Sequence, residues 1–295
     1  MAGPVTVLAE GIYFGEGPRW RTDDAGGRLW FSDFYAHKVC SLGLSGDLRT
    51  ELELDGQPSG LGWMPDGSLL VVRMEQREVW RRWPDGQFAR HADLTAHSAH
   101  MCNDMVVDAQ GRAYVGNFGF DLDAAMRSRG PAGVIADHPA TVLALVQSDG
   151  TVSDAAPGER FGFPNGMVIT PDGSTLILAE TFARRLTALD IGDDGTLTNR
   201  REWASVAPRL PDGICLDASG AVWIANPAAP ECVLIAPGGG VLEVIETGGQ
   251  NCYACMLGGP LGRHLFMLVA PPDAATDPLG KVLVSEVAVG RAGLP

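Results

Sequence analysis

A turn that ends in glycine and leads directly into an apolar strand recurs six times along this chain. The intervals between successive turns are 40, 44, 62, 47 and 42 residues. Four of these intervals fit a repeat of about 40–50 residues, which is the size of one propeller blade, and the longer third interval indicates an insertion. The six turn glycines are Gly27, Gly67, Gly111, Gly173, Gly220 and Gly262.

Four short strands are predicted in each repeat. An apolar strand precedes each turn, as at residues 61–64 before Gly67, and a more polar hairpin follows, as around Gly86. Apolar inner strands and amphipathic outer strands suit sheets that stack radially, because the inner strands are covered on both faces. We therefore predict an all-β, six-bladed β-propeller. A two-sheet β-sandwich is the alternative, but six evenly spaced hairpin pairs fit it poorly.

The N-terminal segment is predicted to close the ring. Residues 5–11 read like the closing strands at 50–56 and 242–248, and the sixth repeat lacks one outer strand. Closure by this strand would remove the exposed sheet edges that promote aggregation. On this reading residues 1–295 form one propeller domain, with a longer first turn at Asp24 to Gly26.

Charge and composition exclude several classes of function. The formal net charge is −14, which repels phosphate backbones and anionic membrane surfaces, so nucleic acid and membranes are not expected partners. We found no apolar run long enough to span a bilayer, and the N-terminus lacks the basic and apolar regions of a signal peptide. A cytoplasmic location is expected. The sequence indicates no oligomeric state.

The six cysteines are dispersed, with one close pair at Cys252-x-x-Cys255. A zinc site would need a second pair or matching histidines, and a redox motif would need βαβ surroundings. We interpret the pair as buried small apolar side chains, with redox or metal chemistry as the alternative.

Polar side chains recur at one phase of the repeat. The positions eight residues before the turn glycines carry Ser59, Asn103, Asn165, Asp212 and Ala254, and Glu16 has the matching setting in the first repeat. Equivalent positions of a propeller lie at one height around its axis, so these side chains should meet at the channel mouth. Oxygen ligands suit a hard cation, which favours one divalent ion, Ca²⁺ before Mn²⁺, Mg²⁺ or Zn²⁺. The alternative is that each is a turn residue bonded to its own backbone.

Two further features are expected at the same end. Residues that follow the second strand of five repeats should form an outer ring around the cation; they are Asp33, Arg73, Asn117, Glu180 and Asn226. The insertion, at about residues 117–140, should form a lid with a short helix around 122–126. A solvated loop is the alternative.

Four motifs together resemble the senescence marker protein-30/gluconolactonase/luciferin-regenerating enzyme-like family of six-bladed propellers. They are Gly-Glu-Gly-Pro with Glu16, Cys-Asn-Asp-Met with Asn103, Phe-Pro-Asn-Gly with Asn165, and Pro-Asp-Gly-Ile-Cys-Leu-Asp with Asp212. The similarity runs through essentially the whole chain. It implies a divalent cation on the axis held by Glu16, Asn165 and Asp212, with Asn103 close by, and hydrolysis of lactones.

The expected chemistry is attack of water on a small lactone or ester. Asp212 is the first choice as general base, and Asn103 would contact the substrate. Family members that act on sugar lactones can carry Arg two residues before this Asn, whereas this chain has Met101. With Asn103, the residues His100, Met101, Phe118 and Asp121 complete the predicted substrate-binding set. The apolar Met101, with Phe118 and Phe120 nearby in the insertion, favours a less polar lactone or ester. A proton relay through His97 or His100 stays open.

Other functions remain possible on this sequence. A non-catalytic Ca²⁺-binding propeller, a related metal-dependent esterase or phosphotriesterase, and a non-hydrolytic enzyme would use the same residues. A serine hydrolase is disfavoured because the chain has no Gly-x-Ser-x-Gly motif.

Overall fold

The computed structural model describes residues 2–22, 26–272 and 274–295. Within these residues the chain forms twenty-four strands, arranged as six four-stranded antiparallel sheets, and one helix. The sheets follow one another as blades of a six-bladed β-propeller, which confirms the predicted fold. The longer first turn that we expected at Asp24 lies partly outside the described residues.

Each of the first three blades is a simple meander in chain order. Blade 1 contains β2 (Gly15–Arg21), β3 (Arg28–Asp33), β4 (Lys38–Leu42) and β5 (Leu48–Glu53). Blade 2 contains β6 (Pro58–Trp63), β7 (Leu69–Arg73), β8 (Glu78–Arg82) and β9 (Phe88–Asp93). Blade 3 contains β10 (Cys102–Val107), β11 (Ala113–Asn117), β12 (Ala144–Val146) and β13 (Val152–Asp154), with helix α1 (Leu122–Ala136) between β11 and β12.

The next two blades repeat this order, and the sixth takes its fourth strand from the N-terminus. Blade 4 contains β14 (Pro164–Ile169), β15 (Thr175–Glu180), β16 (Arg185–Ile191) and β17 (Leu197–Ser205). Blade 5 contains β18 (Ile214–Leu216), β19 (Val222–Asn226), β20 (Glu231–Ile235) and β21 (Val241–Glu246). Blade 6 contains β22 (Asn251–Gly258), β23 (His264–Ala270), β24 (Gly280–Glu286) and β1 (Thr6–Ile12).

The core lies between neighbouring blades. All residues of β10, β11 and β14 are buried, whereas the outermost strand β21 is mostly exposed. Between blades 1 and 6, for example, the ring of Trp20 stacks on that of Phe266 with centroids 5.4 Å apart. The apolar inner pairs and amphipathic outer strands of the sequence therefore mark how deeply each strand lies in the ring.

Both ends of the chain hold the ring together. Strand β1 pairs antiparallel with β24, as predicted, and Gly3 N donates to Glu286 O at 2.7 Å. The C-terminal residues 291–294 lie at the ends of β14 and β18, the first strands of blades 4 and 5. There Ala292 N donates to Leu216 O at 2.9 Å, and Leu294 exchanges two hydrogen bonds with Ile169 at 2.7 and 2.9 Å. The C-terminal segment thus links blades 4 and 5, a contact that no repeat signal in the sequence indicates.

The insertion of blade 3 carries a longer helix than we expected. Helix α1 extends to Ala136. It is kinked at Gly130, which has a non-helical φ of 66° and is followed by Pro131. Asp121 caps the helix by accepting a hydrogen bond from Ala124 N at 2.8 Å. The helix packs on blade 4, where Ala125 and Val134 share an apolar cluster with Phe163 and Phe182. We call residues 117–140 the lid.

The described part of the chain contains no helix that is both long enough and apolar enough to cross a membrane.

Deletion of residues 1–10 should destabilise the protein, because it removes most of the strand that covers the edge of β24. We expect the free energy of unfolding to fall by about 2–4 kcal/mol and the melting temperature by several degrees. Calorimetry of the purified protein measures this change. The control is Glu10→Gln, which removes only the exposed ion pair with Lys281 and should cost less than about 1 kcal/mol. An unchanged melting curve after the deletion would show that the ring closes without this strand.

Candidate active site

The structure brings the four predicted axial side chains together at one end of the propeller. Glu16, Asn103 and Asn165 lie at the starts of β2, β10 and β14, and Asp212 lies just before β18. Each is buried, with 4–7% of its surface exposed. Asn103 Nδ2 donates to Asn165 Oδ1 at 3.0 Å, and Asn165 Nδ2 donates to Thr181 Oγ1 at 3.2 Å.

Irregularities in strand pairing turn these side chains toward the axis. The register between the first two strands shifts between Glu16 and Arg19 in blade 1, between Cys102 and Met105 in blade 3, and after Pro164 in blade 4. A β-bulge bends its strand and re-aims the side chains within it. The axial polar residues thus sit where the inner strands leave regular pairing.

Glycines that follow the axial residues let the inner strands approach each other. A Cβ atom on Gly60 would lie 2.4 Å from Met105 N, and one on Gly166 would lie 2.5 Å from Asp212 O. Neither position can take a side chain without moving the backbone of the next blade. The Asn-Gly and Ser-Gly pairs are therefore requirements of the crowded axis, and turn formation alone does not explain them.

Burial is the main reason why both axial carboxyl groups have a raised pKa. Burial raises the pKa of Glu16 well above its ordinary value, and the nearby Asp212 and Asp104 raise it further, against the hydrogen bond from Gly17 N and the charge of Arg19. Burial, then the charge of Asp104, raises the pKa of Asp212 in the same direction, while a hydrogen bond from Asn165 opposes the shift. Without a cation the site favours protonated carboxyls, so a divalent ion would relieve the repulsion.

A buried ion pair beneath the axial groups went unnoticed in the sequence. Arg19 Nη2 lies 2.9 Å from Asp104 Oδ1, and both side chains are 6% exposed. The same guanidinium donates to Leu61 O at 2.9 Å, to Pro18 O at 2.7 Å and to Met105 O. It therefore ties together the inner strands of blades 1, 2 and 3. The sequence feature that could have indicated this ion pair is the charged Arg19, three positions after Glu16 in a strand that is almost entirely buried.

The donor set fits a hard cation better than a soft one. Two carboxylates and two amide oxygens are the ligand types that Ca²⁺ takes. Across residues 2–22, 26–272 and 274–295, no three His, Cys, Asp or Glu side chains form a metal-binding group. Any ion on the axis would therefore need the amide oxygens of Asn103 and Asn165 as well as carboxylates.

The five side chains of the predicted outer ring are bonded to neighbouring loops and strands. Asn117 Oδ1, for instance, accepts from Thr141 Oγ1 at 2.6 Å, and Glu180 Oε2 accepts from Gly162 N at 2.9 Å. Buried polar side chains need hydrogen-bond partners, and at these strand ends the nearby loops and strands supply them. The hydrogen-bonded pairs are Asp33 with Phe14, Arg73 with Glu78, Asn117 with Thr141, Glu180 with Arg185, and Asn226 with Glu231.

The predicted substrate-binding residues lie along one part of the rim. His100 Nε2 is 3.9 Å from Asp121 Oδ2, at the start of the lid helix. Met101 O accepts from Phe118 N at 2.9 Å, and both side chains pack against the apolar cluster of blades 2 and 3. His97 lines a cleft of about 570 Å³ together with Thr141 and Arg160. The rim thus combines one His–Asp pair with apolar side chains.

All six cysteines are buried and free of disulfides. Cys255 lies within 3.9 Å of Cys215, measured between the sulfur atoms, and its thiol donates to Gly213 O at 3.5 Å. This matches the interpretation of the Cys252-x-x-Cys255 pair as buried small side chains.

Arg19→Met should destabilise the fold strongly, because it leaves the carboxylate of Asp104 buried without its positively charged partner. We expect a loss of about 3–5 kcal/mol in the free energy of unfolding, measured with denaturant. Adding Asp104→Asn to that variant should restore a large part, since the amide oxygen can still accept from Met105 N. Arg201→Met is the control: its pair with Asp190 is 43% exposed on each side and should contribute less than about 1 kcal/mol. Equal losses in the two arginine variants would contradict the role given to Arg19.

Comparison with known proteins places this geometry in a family. The family model for the SMP-30/gluconolactonase/LRE-like region matches residues 14–271. Pentonolactonase XacC of Haloferax volcanii is 26% identical over 273 residues, which cover 90% of this chain and 85% of the relative.

Two solved structures share the fold over nearly their whole length. The luciferin-regenerating enzyme has a TM-score of 0.80 at 19% identity, with 99% of this chain and 98% of the other covered. Regucalcin of Agrobacterium tumefaciens, described as a calcium-binding protein, has a TM-score of 0.77 at 21% identity, with 99% and 97% covered. On the match of the family model over most of its length, the chain belongs to the SMP-30/gluconolactonase/LRE-like family.

Proposed function

We propose that this protein is a metal-dependent lactonase that opens a cyclic ester by attack of water at the axial site. The observation that carries the proposal is the convergence of Glu16, Asn103, Asn165 and Asp212 in one buried cluster beside the lid. The relative named pentonolactonase supports the substrate class, and the relative described as calcium-binding supports the ion.

Glu16, Asn165 and Asp212 would hold the cation, with Asn103 beside them. Their oxygen atoms suit Ca²⁺, and two carboxylates balance its charge. Mn²⁺ and Mg²⁺ also accept oxygen ligands, and Zn²⁺ fits less well without His or Cys. When bound, such an ion polarises a lactone carbonyl and makes nearby water more acidic.

Asp212 is the group best placed to accept the proton of the attacking water. A carboxylate on a cation is a weaker base than a free one, so this role requires that its second oxygen faces the water. The backbone around it is fixed: Asp212 N donates to Ala225 O at 3.0 Å and Asp212 O accepts from Gly166 N at 3.2 Å. The backbone of Asp212 is therefore held by β19 and β14, and its carboxyl group is hydrogen-bonded by Asn165.

Asn103 would orient the substrate. Its amide is held from two sides, because Ser59 Oγ lies 3.4 Å from Asn103 Oδ1 while Asn103 Nδ2 donates to Asn165 Oδ1. A positioned amide of this kind presents a hydrogen-bonding group to a lactone oxygen without reorganisation during the reaction.

Glu16→Gln should weaken cation binding while leaving the fold intact. After treatment with a chelator, adding Ca²⁺ to the wild-type protein should raise the melting temperature by several degrees, because only the folded state holds the ion. The variant should lose most of this rise. Asp85→Asn, in an exposed hairpin turn at the other end of blade 2, should keep it. An equal rise in wild type and Glu16→Gln would remove Glu16 from the ligand set.

Asp212→Asn should lower kcat/KM for lactone hydrolysis by about 10²–10⁴-fold, the range that a general base supplies. The rate of ring opening with Ca²⁺ present measures this, and circular dichroism confirms folding. Asp85→Asn again serves as the matched control. Wild-type turnover in Asp212→Asn would refute its role. If wild type binds the ion but hydrolyses no lactone, ester or phosphotriester, the hydrolase function fails, and a binding propeller or a non-hydrolytic enzyme takes its place.

A further inference from the structure

Aromatic side chains from blades 1 and 6 form one wall beside the axial cluster. Phe14 lies two residues before Glu16, and its ring centroid is 4.4 Å from that of Tyr253 and 5.5 Å from that of Phe34. The backbone of Phe14 is fixed, because its N–H donates to Asp33 Oδ1 at 3.0 Å.

Tyr253 joins this wall directly to the site. Its carbonyl oxygen accepts a hydrogen bond at 2.9 Å from the backbone N–H of Gly213, the residue after Asp212. Burial raises the pKa of Tyr253 to about 12, and the charges of Asp212 and Glu16 contribute. The phenol is therefore neutral, and its ring adds to the apolar surface.

A second aromatic wall stands at blades 3 and 4. Phe163 lies two residues before Asn165, and its ring stacks on that of Phe118 at 4.9 Å and lies 4.6 Å from that of Phe182. Its φ of 60° falls in the left-handed region, which is unfavourable for a bulky residue. Strain of this kind persists only where the surroundings enforce it, and it clusters at ligand sites.

The two walls belong to one ring of the repeat. Of the six positions that lie two residues before the axial positions, four carry large apolar side chains: Phe14, Met101, Phe163 and Leu210. The other two are Gln57 and the small Cys252. Phe163 is buried, whereas Phe14, Met101 and Leu210 keep partial exposure. Since equivalent positions in a propeller share one height, these side chains encircle the polar cluster. We call these four side chains, with Tyr253, the collar.

We propose that the collar selects lactones that carry an alkyl or aryl substituent, and this rests on the lactonase function proposed above. An apolar substituent leaving water for the collar gains affinity with each methylene group. The hydroxyl groups of a sugar lactone would face these side chains without hydrogen-bond partners, which is unfavourable. At the start of the lid helix, the His100–Asp121 pair is a polar part of the rim described above.

A series of γ-lactones that differ only in chain length tests the proposal. With Ca²⁺ present, kcat/KM should rise about three- to fourfold per methylene group from γ-butyrolactone through γ-hexalactone to γ-nonalactone. Glucono-δ-lactone should be at least tenfold poorer than γ-nonalactone. A preference for glucono-δ-lactone, or a flat response to chain length, would overturn the collar while leaving the lactonase function standing.

Binding of compounds without an ester keeps the two proposals apart. Calorimetry should give tighter binding of 2-pentylcyclopentanone than of cyclopentanone, by at least tenfold in Kd. If this holds while no lactone is hydrolysed, the lactonase function fails and the collar survives as a ligand site. Equal affinity for the two ketones would overturn the collar.

Variants of collar residues test whether the collar causes the dependence of kcat/KM on chain length. Phe14→Ala should reduce kcat/KM for γ-nonalactone about tenfold and change that for γ-butyrolactone less than twofold. Met101→Gln, of similar size, should flatten the chain-length response and provides a second test if Phe14→Ala does not fold. Phe88→Ala, which removes an aromatic ring packed on Trp80 in the outer part of blade 2, is the matched control and should leave the ratio unchanged. An unchanged ratio in both collar variants would contradict the proposal.

Discussion

The close approach of the inner strands at the axis is the constraint on which the rest of this structure depends. Backbone atoms of adjacent blades come so near that positions such as Gly60 and Gly166 have no room for a side chain. The bulges that open at the same height turn the preceding polar residues inward. The features that let six sheets share one centre therefore also concentrate oxygen atoms there, which connects the packing of the fold to its chemistry.

The buried carboxyl groups near the axis carry negative charge when ionised, and the protein neutralises one of them with an ion pair. Asp104 stands where neighbouring repeats have glycine, and Arg19 neutralises it while bonding to the inner strands of blades 1, 2 and 3. Glu16 and Asp212 have no comparable partner, and the pKa of each is raised. One pair is thus balanced by the protein itself, and the other is left for a proton or a cation.

The sequence predicts what repeats and fails where the repeat is broken. Glycine spacing predicted the six blades, and repeat phase brought Glu16, Asn103, Asn165 and Asp212 together. The repeat pattern did not predict the Arg19–Asp104 ion pair, because each of these residues occurs at its position in one blade only. Spacing also does not reveal that Asn117 bonds to the loop at Thr141 and Val142. The lid helix is longer than expected because it continues past Gly130 and Pro131, residue types that usually end a helix.

Departures from symmetry also explain why six equivalent positions make one site. Ser59 and Ala254 are small, and their blades, 2 and 6, flank blade 1, which carries Glu16. Six long polar side chains at one height would compete for the same volume, since interiors are close-packed. Small residues in blades 2 and 6 leave space next to Glu16, and the polar groups of blades 3, 4 and 5 face it across the axis. The ring is therefore regular in backbone but uneven in side-chain size, so one side of the axis differs from the other.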